Sequence, residues 1–319
     1  MFGLKALLAI LYFGYLSATQ VCPPPEDIQP CSCFGTTYIL TAHCNGVSSL
    51  DQLKNSVKGF QGTKLYTFTI SSSSVEYLPS NIFENLTIQH LSISKSSMSR
   101  IANLGDPQFK GLERSLQSLT ITETFTRNHP FAYVFMDHLK ALMTVDLRKN
   151  HVEVLHNEWF KNGLPDLRIL RFVECQIRRV GYRALQKLHN LRILDLSDNM
   201  INYIPRTALP QPATSLEELN LERNDFHSLP EDLFSDMPSL RIVNLELNEL
   251  TTIDQPTWGS VWDHLENLNI DYNPLVCDVK IKWLYESKED LETKLVALCY
   301  KPFKLFERPL SSLTLQDFE

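Results

Sequence analysis

Residues 191–201 read Leu-Arg-Ile-Leu-Asp-Leu-Ser-Asp-Asn-Met-Ile, and residues 216–226 read Leu-Glu-Glu-Leu-Asn-Leu-Glu-Arg-Asn-Asp-Phe. Both fit the template L-x-x-L-x-L-x-x-N-x-L, with any large apolar residue allowed at the last position. Reading outward in both directions, the template starts at Leu65, Ile88, Leu116, Leu142, Leu167, Leu191, Leu216, Leu240 and Leu265, at spacings of 23 to 28 residues. A recurrence of this length means stacked units, each too small to bury its own apolar side.

The template has a simple physical reading. In x-L-x-L-x, alternation with period two sends the leucines to one side of a strand and the intervening residues to the other. After the strand the chain turns, leaving backbone groups that need partners. An asparagine amide both donates and accepts, so a column of asparagines can serve successive turns. Asn150, Asn199, Asn224, Asn248 and Asn273 form that column. Ser73, Ser96 and Thr124 hold the position in the first three units, where a hydroxyl can do part of the same work, and Cys175 holds it in the fifth. A buried thiol without a cationic neighbour is structural, whereas a reactive one needs a lowered pKa. The third unit is the least regular, and Thr126 to Ala141 has no clear register. Phe83, Phe109, Phe160, Phe234 and Trp258 recur between strands and read as core plugs of the outer, convex side.

Composition sets limits. An apolar share of 43% with 21% charged residues is that of a folded chain rather than a disordered one. With 37 acidic against 30 basic residues, the net charge of −7 offers no general attraction to a phosphate backbone or an anionic membrane. Residues 1–19 read as a signal peptide: Lys5, an apolar run from Ala6 to Leu16, then Ser17, Ala18 and Thr19. The run is shorter than the roughly 20 apolar residues of a membrane span, which disfavours the signal-anchor alternative. No second such run occurs, and the tail shows no anchor signal, so the expected product is secreted and has no membrane anchor.

Six of the seven cysteines sit in two terminal clusters: Cys22, Cys31, Cys33 and Cys44, then Cys277 and Cys299. In an exported chain such clusters read as disulfides. Zinc is the alternative for the first, but Pro23, Pro24, Pro25 and Pro30 interleave it. Spacing alone leaves three connectivities open there.

The repeated template, over about two-thirds of the chain, resembles the leucine-rich-repeat family. Cys-Pro-Pro-Pro-Glu-Asp-Ile-Gln-Pro-Cys-Ser-Cys at 22–33 and Asn-Pro-Leu-Val-Cys at 273–277 resemble the caps of its extracellular members, and in particular arthropod secreted proteins. Among these is a non-catalytic, leucine-rich subunit of a secreted enzyme. The resemblance implies an α/β-type solenoid: a horseshoe of about nine repeats with a concave parallel β-sheet and disulfide-bonded caps. It implies an N-terminal cap at 20–60, repeats at 61–275 and a C-terminal cap at 276–319. It further implies the pairs Cys22–Cys33, Cys31–Cys44 and Cys277–Cys299, with Cys175 unpaired and buried. The family's C-terminal cap usually holds two pairs. Here Val279 stands where a second cysteine is common, and no fourth appears before Glu319.

A docking surface would use the x positions of the concave sheet. The central row is Thr69, Ser92, Thr120, Asp146, Arg171, Asp195, Asn220, Asn244 and Asn269. Two residues on, the row is Ser71, Ser94, Thr122, Arg148, Val173, Ser197, Glu222, Glu246 and Asp271. A neutral hydroxyl zone, a mixed middle with Arg148, Lys149 and Arg171, and an acidic end result. The partner-binding candidates are Arg148, Arg171, Asp195, Asn220, Glu222, Asn244, Glu246, Asn269 and Asp271. Glu222, Glu246 and Asp271 should lie side by side, mildly repelling one another, and a partner's Lys or Arg would relieve them. Calcium is a second reading, though no rigid loop supplies a cage; a plainly solvated face is a third. A long, shallow surface suits a secreted or cell-surface protein, or a glycan, better than a small molecule.

Asn85-Leu86-Thr87 is the single N-x-S/T sequon, expected to be exposed and glycosylated. The nine histidines are scattered and no nucleophile elbow, zinc helix or phosphate loop occurs, so neither an enzyme nor a cofactor is expected. Two functions stay open: a stabilising non-catalytic subunit of a secreted complex, or a free-standing extracellular recognition or matrix module.

Overall fold

The computed structural model describes residues 21–101, 107–128, 135–286 and 291–318; the expected signal peptide lies outside them. The N-terminal segment supplies helix α1 (Pro25–Ile28), a hairpin of strands β1 (Cys31–Thr36) and β2 (Ile39–Asn45), and helix α2 (Leu50–Gly59). Strands β3 (Lys64–Ser71), β4 (Thr87–Ser94), β5 (Ser118–Thr122) and β6 (Thr144–Arg148) follow. After a two-residue strand β7 (Val154–Leu155) come β8 (Ile169–Val173), a short β9 (Arg179–Val180) and β10 (Ile193–Asp195). The series ends with β11 (Glu218–Asn220), β12 (Ile242–Asn244), β13 (Asn267–Asn269) and β14 (Leu295–Val296).

Apart from β7 and β9, which pair with each other, these strands make one sheet in chain order. Every neighbouring pair is parallel except the β1–β2 hairpin. The sheet has twelve strands where the template counts nine. The hairpin adds two at one end and β14 adds one at the other, because the flanking segments do not follow the template. Edges left bare by the repeats are thereby paired or covered.

The leucines at the template starts are all buried, forming one spine from Leu65 to Leu265. Aromatic side chains pack against it, among them Phe68 of β3 itself. Phe60, Phe68, Phe83 and Phe109 run in contact at ring-centroid spacings of 5.8, 5.4 and 6.3 Å, and Phe234 meets Trp258 at 4.5 Å. Beyond β3 the chain makes turns and single-turn helices between the strands of the sheet. Prolines such as Pro205, Pro210 and Pro230 stand there, and proline halts a longer helix.

The asparagine column explains how units lock together. Asn199 Nδ2 donates to Phe172 O of the preceding unit at 2.7 Å and to Leu196 O and Ser197 O of its own. Its Oδ1 accepts from the amides of Cys175 and Ile177, both at 3.0 Å. Asn150, Asn224, Asn248 and Asn273 likewise reach back a unit. Ser73, Ser96 and Thr124 donate only to their own turn, at Ser71 O, Ser94 O and Thr122 O. One hydroxyl proton cannot span two units; two amide protons can. Cys175 takes the middle course, its Sγ lying 3.4 Å from both Leu147 O and Val173 O. It is fully buried and unpaired, and burial pushes its thiol up to about 12.

Three disulfides hold the ends. Cys31–Cys44 ties opposed residues of the hairpin, Cys22–Cys33 ties the leading segment to β1, and Cys277–Cys299 closes the C-terminal cap. In that cap Trp283 Nε1 donates to Ile253 O at 2.8 Å and its ring stands edge-on to Trp262 at 5.0 Å, fastening the cap to the unit that begins at Leu240. Asn85 is exposed, at a positive φ of 69° just before β4.

Candidate protein-docking face

The central row is one line across the sheet. Thr69, Ser92, Thr120, Asp146, Arg171, Asp195, Asn220, Asn244 and Asn269 are register partners on successive strands. The line runs further than the repeats, with His43 opposite Thr69 at one end and Val296 opposite Asn269 at the other. Those two positions fall outside the template. The alternation of buried Leu40, Ala42 and Cys44 in β2 was the available signal for His43.

The second row departs from expectation at one point and for a clear reason. Strands β10 to β13 stop at the central row. The next alternate amide bends to a side-chain oxygen there: Ser197 N to Asp195 Oδ1, Glu222 N to Asn220 Oδ1, Glu246 N to Asn244 Oδ1 and Asp271 N to Asn269 Oδ1, at 3.0 to 3.1 Å. Ser197 of this row is covered rather than exposed, its hydroxyl donating to Asp195 Oδ1 at 2.7 Å.

In the middle zone the charges are spent on one another. Arg148 grips Asp146 with two nitrogens, at 2.8 and 3.1 Å, and Arg171 Nη1 approaches the same carboxylate at 3.9 Å. Lys149 stands between Glu123 and Glu174, each at 3.9 Å. Little net charge is left to attract a partner.

The acidic end is organised differently. Asn244 Nδ2 donates to Glu222 Oε2 at 3.0 Å, and Asn269 Nδ2 to Glu246 Oε2 at 2.7 Å. An amide therefore sits between successive carboxylates instead of the bare repulsion expected from sequence. Glu222 still has its pKa raised, first by burial and then by Glu246, with Arg223 Nε at 3.4 Å from Oε1 as partial relief. The series breaks at Asp271. Val296 follows Asn269 in register, so no further amide arrives, and Asp271 Oδ1 is shielded without a donor among the described residues. The acids are strung along the sheet, not gathered; among the described residues no three His, Cys, Asp or Glu side chains are placed to hold a metal ion.

A leucine rich repeat profile matches residues 140–201 and 214–275. Fibromodulin of Sus scrofa is 32% identical over 138 residues, spanning 43% of this chain and 88% of the relative. The chain belongs to the leucine-rich-repeat family. Among other leucine-rich-repeat relatives, the Oplophorus-luciferin 2-monooxygenase non-catalytic subunit of Oplophorus gracilirostris is 22% identical over 314 residues, covering 86% of this chain and 81% of that subunit. Toll-like receptor 9 of Mus musculus is 29% identical over 143 residues, of which this chain spans 14% of the receptor's length. Of solved structures, the crystal structure of a TLR13–ssRNA13 complex superposes with a TM-score of 0.62 at 25% identity, covering 72% of this chain and 31% of that one. The leucine-rich-repeat solenoid here has disulfides near both ends, and among the described residues no helix is long and apolar enough to cross a membrane.

Proposed function

We propose that this is a secreted, non-enzymatic scaffold that docks a basic partner protein on the acidic end of its concave sheet, as the stabilising non-catalytic subunit of a secreted complex. The observation that carries the reading is the braced pair Glu222 and Glu246. Each has one oxygen fixed by a neighbouring strand's asparagine. Adjacent strands are about 4.8 Å apart, so the two carboxylates form a spaced rail, ordered before any partner arrives. Order of this kind lowers the entropy lost on docking, and the charge steers a cationic partner. Arg148 and Arg171, turned to Asp146, set the limit of that rail, and Asp195, Asn220, Asn244, Asn269 and Asp271 complete it.

Support for a subunit role comes from the likeness, over 81% of its length, to the non-catalytic subunit of Oplophorus-luciferin 2-monooxygenase. A rail of carboxylates repels a phosphate backbone, so RNA, seen with the receptor solved structurally, is not the ligand we assign here. The second reading, a free-standing recognition module, has its own observation: the hydroxyl-lined end, where His43 Nε2 and Ser71 Oγ lie 2.7 Å apart beside Thr69 and Ser92. Such a neutral polar strip suits a glycan.

Native-size chromatography of the secreted material, followed by cross-linking and mass spectrometry, tests the proposal. A stoichiometric complex cross-linked near Glu222 and Glu246 is the expected result. A single species of monomer mass would overturn the subunit role.

A further inference from the structure

We infer that the C-terminal cap carries a second docking site, separate from the concave sheet, for an acid-flanked apolar segment of a partner protein. Val279, Tyr300, Phe303 and Phe306 stand 66, 51, 93 and 45% exposed around one open cleft of about 740 Å³. The cap does not lack a core of its own: Leu284, Leu305, Leu310 and Leu313 are buried in it. The turn Phe303–Leu305 sends Leu305 inward and Phe303 outward, so the exposed ring is placed by the same local structure that builds the core. Tyr300 and Phe306 brace each other edge to face, with ring centroids 5.9 Å apart. Grouped exposed apolar side chains mark interaction surfaces, and aromatic rings are the usual anchors.

Charge identifies the occupant. Lys301 and Lys304 line the cleft and Lys280 adjoins Val279; all three are exposed, and none forms an ion pair among the described residues. Of the nearby carboxylates, Asp317 is paired with Arg308 at 2.8 Å and held by Thr314, whereas Asp278, which accepts from the backbone amide of Lys280 at 2.9 Å, and the exposed Glu307 keep their charge. Three lysines without an ion pair among the described residues, against Asp278 and Glu307, leave the rim of this exposed apolar cleft basic by one charge, on a chain whose net charge is −7. Its complement is an apolar side chain flanked by Asp or Glu. Sites for small molecules enclose most of the ligand; a ring exposed as fully as Phe303 in an open cleft needs the broader cover of a polypeptide.

Fluorescence anisotropy on the secreted full chain tests this with three labelled peptides: a Leu-Phe core flanked by glutamates, the same core flanked by lysines, and a Ser-Ser core flanked by glutamates. The expected result is saturable binding of the first alone, weakened by salt. Phe303→Ser, and separately the pair Lys301→Glu with Lys304→Glu, should each reduce that affinity at least tenfold without lowering the melting temperature. Glu222→Lys with Glu246→Lys should leave it unchanged, which separates this site from the concave face. Absence of saturation, equal binding of the lysine-flanked peptide, or indifference to Phe303→Ser would each overturn the inference. Phe303-dependent sedimentation with phosphatidylserine vesicles and no peptide binding would replace it with a membrane surface. A Phe303-dependent dimer in light scattering would replace it with a second copy of the chain.

Discussion

Asn269 donates its side-chain amide to Glu246 Oε2 at 2.7 Å, from the next strand of the sheet. The contact converts an acid on a solvent-facing row into a fixed feature of the surface, since turning Glu246 away would break a charge-assisted hydrogen bond.

Reversing both braced acids should therefore erase docking without harming the fold. Glu222→Lys with Glu246→Lys is expected to abolish binding of the native partner, measured by surface plasmon resonance, while the thermal midpoint stays within a few degrees of wild type. Binding that survives the reversal would move the contact elsewhere.

The acidity of Glu222 has a readable pH signature. Burial, then Glu246, raise its pKa, so the charged form is disfavoured in the folded state. That penalty is present above the folded-state pKa and disappears as pH falls below the ordinary glutamate range. Glu222→Gln keeps the acceptor for Asn244 and removes the charge. It should be more stable than wild type at pH 7 by a few tenths of a kcal/mol, the usual size of a like-charge pair on adjacent strands. The difference should vanish on acidification toward pH 3.5. Equal urea midpoints at pH 7 would contradict the shift.

Asn199 is the most heavily used member of the internal column. Asn199→Ala removes three donated bonds and strands the amides of Cys175 and Ile177 in the core. A loss of roughly 2–4 kcal/mol in chemical denaturation follows from leaving buried groups unpaired. A loss below about 0.5 kcal/mol would mean that water replaces the amide.

Cys175 should be silent toward alkylating reagents. Burial pushes its thiol up to about 12, so almost no thiolate exists at pH 8 and no path reaches it. Iodoacetamide is expected to label it only after denaturation. Labelling of native protein within minutes would show that this unit opens locally.

Removing the C-terminal cross-link should cost more than any surface change. Cys277 and Cys299 close a loop of 22 residues, for which chain-entropy arguments give about 3 kcal/mol. The double replacement Cys277→Ser with Cys299→Ser should lower stability by that order and raise protease sensitivity in the cap first. An unchanged cleavage pattern would assign cap stability to Trp283 and its neighbours instead.

What could be read in advance followed the template, and what escaped lay where the template stops. The central row was legible residue by residue, because period-two alternation and a fixed repeat leave one register. The extra strands were not: β2 alternates, yet its leucine, alanine and cysteine do not match the motif, and β14 has only two residues. The sequence reading expected Ser197 to be exposed because it counted positions, while in the fold its hydroxyl lies covered against Asp195 on the same face. The bracing of Glu222 and Glu246 was equally hidden. Each depends on an asparagine roughly one unit further along the chain, and such a pairing becomes visible only once strands are laid side by side. The aromatic cleft of the cap gave no motif at all, since exposure is a property of packing.

Because every inner strand meets only the strand before and the strand after it, in an unchanging register, the array can be edited in length. Duplicating one whole unit between Leu191 and Leu216 would insert a new tread with the same risers on either side. Both terminal fastenings would be left as they are, while the hydroxyl-lined and carboxylate-lined ends move one tread further apart. The reach of the molecule is in that sense a countable quantity, set by the number of units rather than by the redesign of any single side chain.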